Sequence, residues 1–128
     1  MANDWFLSAR TVRVSTPDGT LFVHIAEDDK GKLKQIMLNL GKAGTAASAW
    51  ANALASSLTM SIELGATLED ILALLSNITS SSAPRIAIGG KCTSGPEGVW
   101  MALMRYRKEK HEEVRAGEKL SDRILAER

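Results

Sequence analysis

The sequence predicts an α+β domain in which an N-terminal antiparallel β-meander packs on helices. Two β-branched and aromatic runs flank a Pro-Asp-Gly turn, a third segment alternates, and the remainder shows helical spacing with capping signals. The length of 128 residues suits one domain with one core, and 45% hydrophobic residues are typical of a globular protein. We therefore expect a meander, two antiparallel helices, a short strand and a C-terminal helix.

The strands come first along the chain. Residues 11–15 and 21–26 are expected to form a hairpin across the turn at 16–20. Residues 33–40 alternate between the two faces and become apolar toward their end, which predicts a third strand.

Capping residues mark the first two helices. Thr45 is placed to cap a helix over 46–64, and Gly65 follows where a left-handed C-terminal cap is required. The alanine-rich first half of this helix calls for cover on more than one side, by its own sheet and the next helix or also by a second subunit. Thr67 and Asp70 have capping-box spacing and open a short amphipathic helix.

The C-terminal third has a linker, a short strand and a last helix. Residues 79–84 are polar, residues 85–88 are a short apolar strand candidate, and Ser94 precedes Glu97 by three residues, as at a helix start. More than half of 105–128 is charged, and Gly117 is expected to interrupt the helix there. We divide the chain into a domain, 1–106, and a partly helical or flexible tail, 107–128.

The glycine-rich stretch before the last helix offers backbone N–H groups, Lys91, Thr93 and Ser94 near a helix N-terminus, where phosphate is favoured. Its spacing differs from a Walker motif because Cys92 separates the lysine from the hydroxyl residues. Two interpretations stay open: a capped turn with an incidental lysine, or a passive phosphate cradle.

Aromatic and arginine side chains complete the candidate ligand site. Trp5 and Phe6 either cover the sheet, meet another subunit or stack on a ligand, while Trp100 lies early in the last helix. Arginines suit bidentate phosphate binding, although each can equally be a surface charge. The predicted ligand-binding residues are Trp5, Phe6, Arg85, Lys91, Thr93, Trp100 and Arg105.

Catalytic and metal-binding patterns do not emerge. The two histidines, His24 and His111, lie far apart, and a single cysteine excludes a multi-cysteine zinc site and an intrachain disulfide. The formal charge of +1 gives no overall argument for a nucleic-acid binder. We expect no catalytic residue, no metal, no cofactor, no DNA or RNA and no membrane partner. With no leader-like start and no apolar stretch of about 18 residues, we expect a cytoplasmic protein.

The chain resembles the TSCPD domain, which is best known at the C-terminus of cobalamin-dependent ribonucleotide reductases. The resemblance rests on the meander, the turn Gly41–Gly44, the two helices that follow and the stretch 93–97. In that family a Gly-Lys-x-Gly turn ends the meander and a Thr-Ser-Cys-Pro-Asp stretch opens the last helix. Here Gly95 replaces the cysteine and Glu97 the aspartate, so the resemblance implies the fold but no thiol chemistry at Gly95.

The chain also resembles the phage Thoeris anti-defence proteins of the first type. This likeness rests on size, element order and the lack of a catalytic partner domain. It implies non-enzymatic sequestration of a nucleotide-derived, cyclic ADP-ribose-type signal by a homo-oligomer, in the cytoplasm of a bacterium or a phage-infected bacterial cell. The alternative is a stand-alone accessory or assembly module of a ribonucleotide reductase.

Overall fold

The computed structural model describes residues 6–41, 44–76, 78 and 95–127. Its elements are β1 (Ser8–Thr16), β2 (Gly19–Glu27), β3 (Leu33–Leu40), α1 (Ala46–Glu63), α2 (Leu68–Leu75) and α3 (Gly95–Ala126). The predicted α+β class is confirmed. The expected strand at 85–88 lies outside the described residues.

The three strands form an antiparallel sheet in the order β1-β2-β3. Val12 pairs with Val23, and Val23 pairs with Leu38, so apolar residues line up across the sheet. This face is the core, because alternate residues of a strand point to the same side. Its fully buried members on β2 and β3 are Leu21, Val23, Ile25, Ile36, Leu38 and Leu40.

Helix α1 lies along β3, which is an edge strand of the sheet formed by the described residues. The Thr59 hydroxyl accepts a hydrogen bond from the Ile36 N–H at 3.2 Å and donates one to the Ile36 carbonyl at 3.0 Å. One side chain thus satisfies backbone groups that an edge strand would leave open to another chain. The predicted cap at Thr45 is present, and Gly65 has the expected positive φ of +108°.

Helix α2 begins with the predicted capping box. The Thr67 N–H donates to the Asp70 carboxylate at 2.9 Å, and the Asp70 N–H donates to the Thr67 hydroxyl at 3.2 Å. Helix α2 packs on α3, and α3 packs on β1 and β2. The sheet is therefore covered by α1 and α3. On α3, the side chains of Val99, Ala102 and Leu103 are fully buried.

Helix α3 corrects one expectation. It runs unbroken for 32 residues, about 48 Å, and passes through Gly117. Glycine costs about 1 kcal/mol inside a helix, and the strong helix formers on both sides, glutamate, lysine, arginine and alanine, outweigh that cost. Residues 111–127 are all exposed. The boundary between domain and tail at residue 106 stays a prediction.

Candidate functional site

The predicted ligand-binding residues fall into two groups. Trp100 and Arg105 lie on α3, and Phe6, just before β1, is 77% exposed. The other four, Trp5, Arg85, Lys91 and Thr93, lie outside the described residues. The structure thus brings Trp100 and Arg105 to one helix, and the phosphate-cradle hypothesis stays a prediction.

A groove of about 660 Å³ runs along α3 from Trp100 to Arg115. Residues spaced three or four apart share one side of a helix, and this spacing recurs at 100, 104, 108, 111 and 115. Trp100 and Met104 are half-buried and pack against the core, so they form an apolar floor. We call this surface the α3 groove; its lining residues are Trp100, Met101, Met104, Arg105, Arg107, Lys108, His111, Glu112 and Arg115.

Positive charge predominates in the α3 groove, where Glu112 is the one acidic residue among the described residues of the lining. Arg105 pairs with Glu109 at 3.0 Å, and Arg107 pairs with Glu69 of α2 at 2.9 Å. Lys108 and Arg115 have no ion-pair partner within the part of the chain that the structure describes. An anion can therefore bind Lys108 and Arg115 without breaking an ion pair between described residues.

A second cavity, of about 400 Å³, adjoins the groove. Its walls are the turn between β2 and β3, the junction of α1 and α2, and α3. We call it the junction cleft. It shares Arg107 and His111 with the α3 groove, and it adds Lys32, Tyr106 and Lys110.

A buried carboxylate fixes α3 against the sheet beside this cleft. Glu27 of β2, whose side chain is 7% exposed, accepts hydrogen bonds from the Tyr106 hydroxyl and, at 2.9 Å, from the Lys110 ammonium group. Burial, followed by the hydrogen bond to Glu27, raises the pKa of Tyr106 above its ordinary range. Tyr106 therefore stays a neutral donor at physiological pH and holds α3 in place.

A second contact extends this network to β1. Arg10 forms a bidentate pair with Glu113, with Nη2 and Oε2 2.8 Å apart, and lies over the Tyr106 ring at 6.0 Å. The hydrogen bonds from Arg10 lower the pKa of Glu113. Contacts of Tyr106, Lys110 and Glu113 thus hold α3 to strands β1 and β2.

These surfaces combine basic side chains with one tryptophan ring. Arginine and lysine provide charge-assisted hydrogen bonds, and tryptophan provides a stacking face. Within residues 6–41, 44–76, 78 and 95–127, no three His, Cys, Asp or Glu side chains lie close enough to hold a metal ion. The expectation of a protein without metal or catalytic residues stays a prediction.

Most basic side chains of the two cavities are absent from the predicted site, namely Lys32, Lys108, Lys110, His111 and Arg115. We had assigned 107–128 to a separate tail, although the spacing of Met104, Lys108, His111 and Arg115 after Trp100 already indicated one continued helix side. No sequence pattern predicts that Lys32 lines the cleft, because only folding of the turn after β2 places it beside α3.

The start of α3 explains one departure from the TSCPD motif. Gly95 is buried against the ring of the half-buried Trp50 on α1. A Cβ atom at position 95 would overlap Cζ2 and Cη2 of that ring. Trp50 therefore fills the space where a cysteine side chain would stand.

Together these features define a small α+β domain with a basic, ring-lined surface on its last helix. The family model of the TSCPD domain matches residues 7–107, which is well over half of the chain, and the protein belongs to the TSCPD domain family. The predicted resemblance to the TSCPD domain is confirmed, and the likeness to the Thoeris anti-defence proteins stays a prediction. Neither the curated proteins nor the solved structures give a match to this chain. No helix within the described parts of the chain is long and apolar enough to cross a membrane.

Proposed function

We propose that this protein binds and sequesters a nucleotide-derived signal of the cyclic ADP-ribose type without converting it, and so counters Thoeris-like bacterial immunity. The observation that carries the proposal is the α3 groove, where Trp100 shares one helix side with Lys108 and Arg115. The link to Thoeris rests on the likeness in size and element order.

The groove matches the two chemical parts of such a ligand. A purine ring stacks on an aromatic side chain, and base–aromatic stacking contributes about 1–3 kcal/mol. A diphosphate accepts charge-assisted hydrogen bonds from lysine and arginine. The length from residue 100 to residue 115, about 22 Å along the helix, is enough for both parts.

Self-association is part of the proposal. Beyond the sheet, α3 carries Val114, Leu120, Ile124 and Leu125, which are between 47% and 64% exposed. At 100° per residue these side chains continue the side of α3 that faces the core at Val99 and Leu103. A second copy of the chain would cover them and bring two α3 helices together.

An accessory role in a ribonucleotide reductase is the second candidate, and membership of the TSCPD family favours it. In that case the exposed apolar side of α3 would contact a reductase subunit. Co-purification of a reductase subunit with the tagged chain, lost when Leu120 is changed to lysine, would support this role instead.

Ligand-induced thermal stabilisation tests the binding proposal. Cyclic ADP-ribose at about 100 times its Kd should stabilise the folded protein by about 2.7 kcal/mol, raising Tm by several degrees. Lys108→Gln and Arg115→Gln should each reduce the rise. The matched control is Lys34→Gln, because Lys34 is exposed on β3 and lines neither cavity. Equal Tm values with and without cyclic ADP-ribose would contradict the proposal.

A further inference from the structure

We infer that the junction cleft is a phosphate-binding subsite, in which Lys32 supplies the main free cation for a diphosphate. For the identity of the natural ligand this inference rests on the proposed function. The adjoining α3 groove would then hold the ring-bearing end of the same molecule, because the two cavities share Arg107 and His111.

Basic side chains from two distant parts of the chain line this cleft. Lys32 comes from the turn after β2, while Arg107, Lys110 and His111 come from α3. Lys110 is held by Glu27, and Arg107 by Glu69. Lys32 has no ion-pair partner among the residues that the structure describes, so its charge is available to a ligand.

Hydrogen bonds within the turn fix the backbone that carries Lys32. The Asp28 carboxylate accepts hydrogen bonds from the backbone N–H groups of Lys30 and Lys32, both at 2.9 Å. Gly31 has a φ of +80°, and a Cβ at that position would lie 3.2 Å from the Lys110 ammonium nitrogen. Glycine thus lets the turn approach Lys110 closely, and Lys32 and Lys110 both line the cleft.

Another wall of the cleft is formed by the start of helix α2. The first turn of α2 lines the cleft with Thr67, Leu68 and Glu69, and backbone N–H groups of a first helical turn favour an anion. Leu33 and Ile62 make the remaining wall apolar. A volume of about 400 Å³ accommodates a diphosphate with part of a ribose.

Glu69 competes with an anionic ligand for Arg107. Its carboxylate is 66% exposed and lies 2.9 Å from the arginine, so a phosphate that enters the cleft must displace or share this partner. Removal of the Glu69 charge should therefore raise the affinity for a phosphate, whereas removal of the Lys32 charge should lower it.

Calorimetric titration with three probes tests the subsite: cyclic ADP-ribose, inorganic pyrophosphate and adenosine. Lys32→Gln should weaken cyclic ADP-ribose and pyrophosphate about tenfold, the effect of one charge-assisted contact, and leave adenosine unchanged. Glu69→Gln should tighten both anionic probes a few-fold. The matched control is Lys30→Gln, which removes the same charge from the same turn at an exposed residue that does not line the cleft.

The outcomes separate this inference from the proposed function. If cyclic ADP-ribose binds equally well to Lys32→Gln and to Lys30→Gln, the subsite is wrong and the proposed function stands. If pyrophosphate binding depends on Lys32 while cyclic ADP-ribose does not bind, the phosphate subsite stands and the proposed function fails. If none of the three probes binds the wild-type protein, both are wrong.

Discussion

Position 95 shows how a single missing side chain determines the local packing of this domain. The Trp50 ring lies directly against the Gly95 backbone, so the first turn of α3 approaches α1 more closely than any residue with a Cβ would allow. The contact depends on both partners, since only a large flat ring fills the space and only glycine leaves it open.

Gly95→Ala should destabilise the protein by about 2 kcal/mol, because the added methyl group overpacks the site. Trp50→Leu should relieve that clash, so the double variant should be more stable than the sum of the two single effects predicts. Urea unfolding of the four proteins measures this coupling. Gly117→Ala is the matched control: a Cβ there meets no atom within 4 Å, and the change should stabilise the helix by about 0.5–1 kcal/mol. Strict additivity of Gly95→Ala and Trp50→Leu would contradict this account.

At the scale of elements, the cap of α2 links helix stability to pH. The backbone hydrogen bond from Thr67, and then its side-chain hydrogen bond, lower the pKa of Asp70. A carboxylate with a depressed pKa in the folded state stabilises that state above its unfolded pKa, and this contribution is lost as pH falls through the folded value.

Asp70→Asn should therefore lower the unfolding free energy at pH 6–7, and the difference from wild type should shrink as pH falls below 3.8, the ordinary pKa of aspartate. Urea unfolding at a series of pH values measures it. Thr67→Ser serves as control because it keeps the hydroxyl acceptor and should leave the pH profile unchanged. A wild-type-to-variant difference that grows toward low pH would exclude the capping box as its source.

Local signals allowed several elements to be predicted well. The caps at Thr45 and Thr67 and the left-handed Gly65 each depend on a few neighbouring residues, and all three are present. The continuity of α3 could not be predicted in this way. Gly117 alone favours a break, but the helix formers on both sides of it outweigh its cost. Tyr106, Lys110 and Glu113 also hold the preceding part of the helix to the sheet through contacts distant in sequence.

Two truncations test that contribution of α3. A chain that ends after residue 107 loses Lys110 and Glu113, which leaves buried Glu27 with Arg10, 3.8 Å away, in place of Lys110 at 2.9 Å. We expect it to lose about 3 kcal/mol or more of unfolding free energy. A chain that ends after residue 116 keeps both contacts. At protein concentrations low enough for both chains to be monomeric, it should stay within about 1 kcal/mol of the full chain, since the residues removed are exposed. Equal stabilities, measured by urea unfolding, would show that the network contributes nothing.

On the scale of the whole molecule, the end of α3 is a helix that extends into solvent with apolar side chains on one side. Helical segments of 12–15 residues are only marginally stable alone, and a second copy packed on that side would stabilise this one. Leu120→Lys with Ile124→Lys should therefore lower the sedimentation coefficient to that of a monomer. Ala126→Lys is the control, because Ala126 is exposed and, at 100° per residue, lies off the apolar side. A monomeric wild-type protein at tens of micromolar would contradict self-association.

The binding surfaces illustrate what a sequence can and cannot reveal about a site. Trp100 and Arg105 were found because an aromatic residue and arginines stand out early in a helix. The junction cleft escaped prediction because it combines Gly31–Leu33, the α1–α2 junction and α3, which are brought together only by the packing of α3 on the sheet.

Calorimetric titration of cyclic ADP-ribose into the wild-type protein, followed by chromatography of the ligand released on heating, tests the central claim most directly. The account predicts saturable binding that weakens as salt is raised, and complete recovery of the unchanged ligand. Absence of binding, or recovery of a converted product, would contradict it.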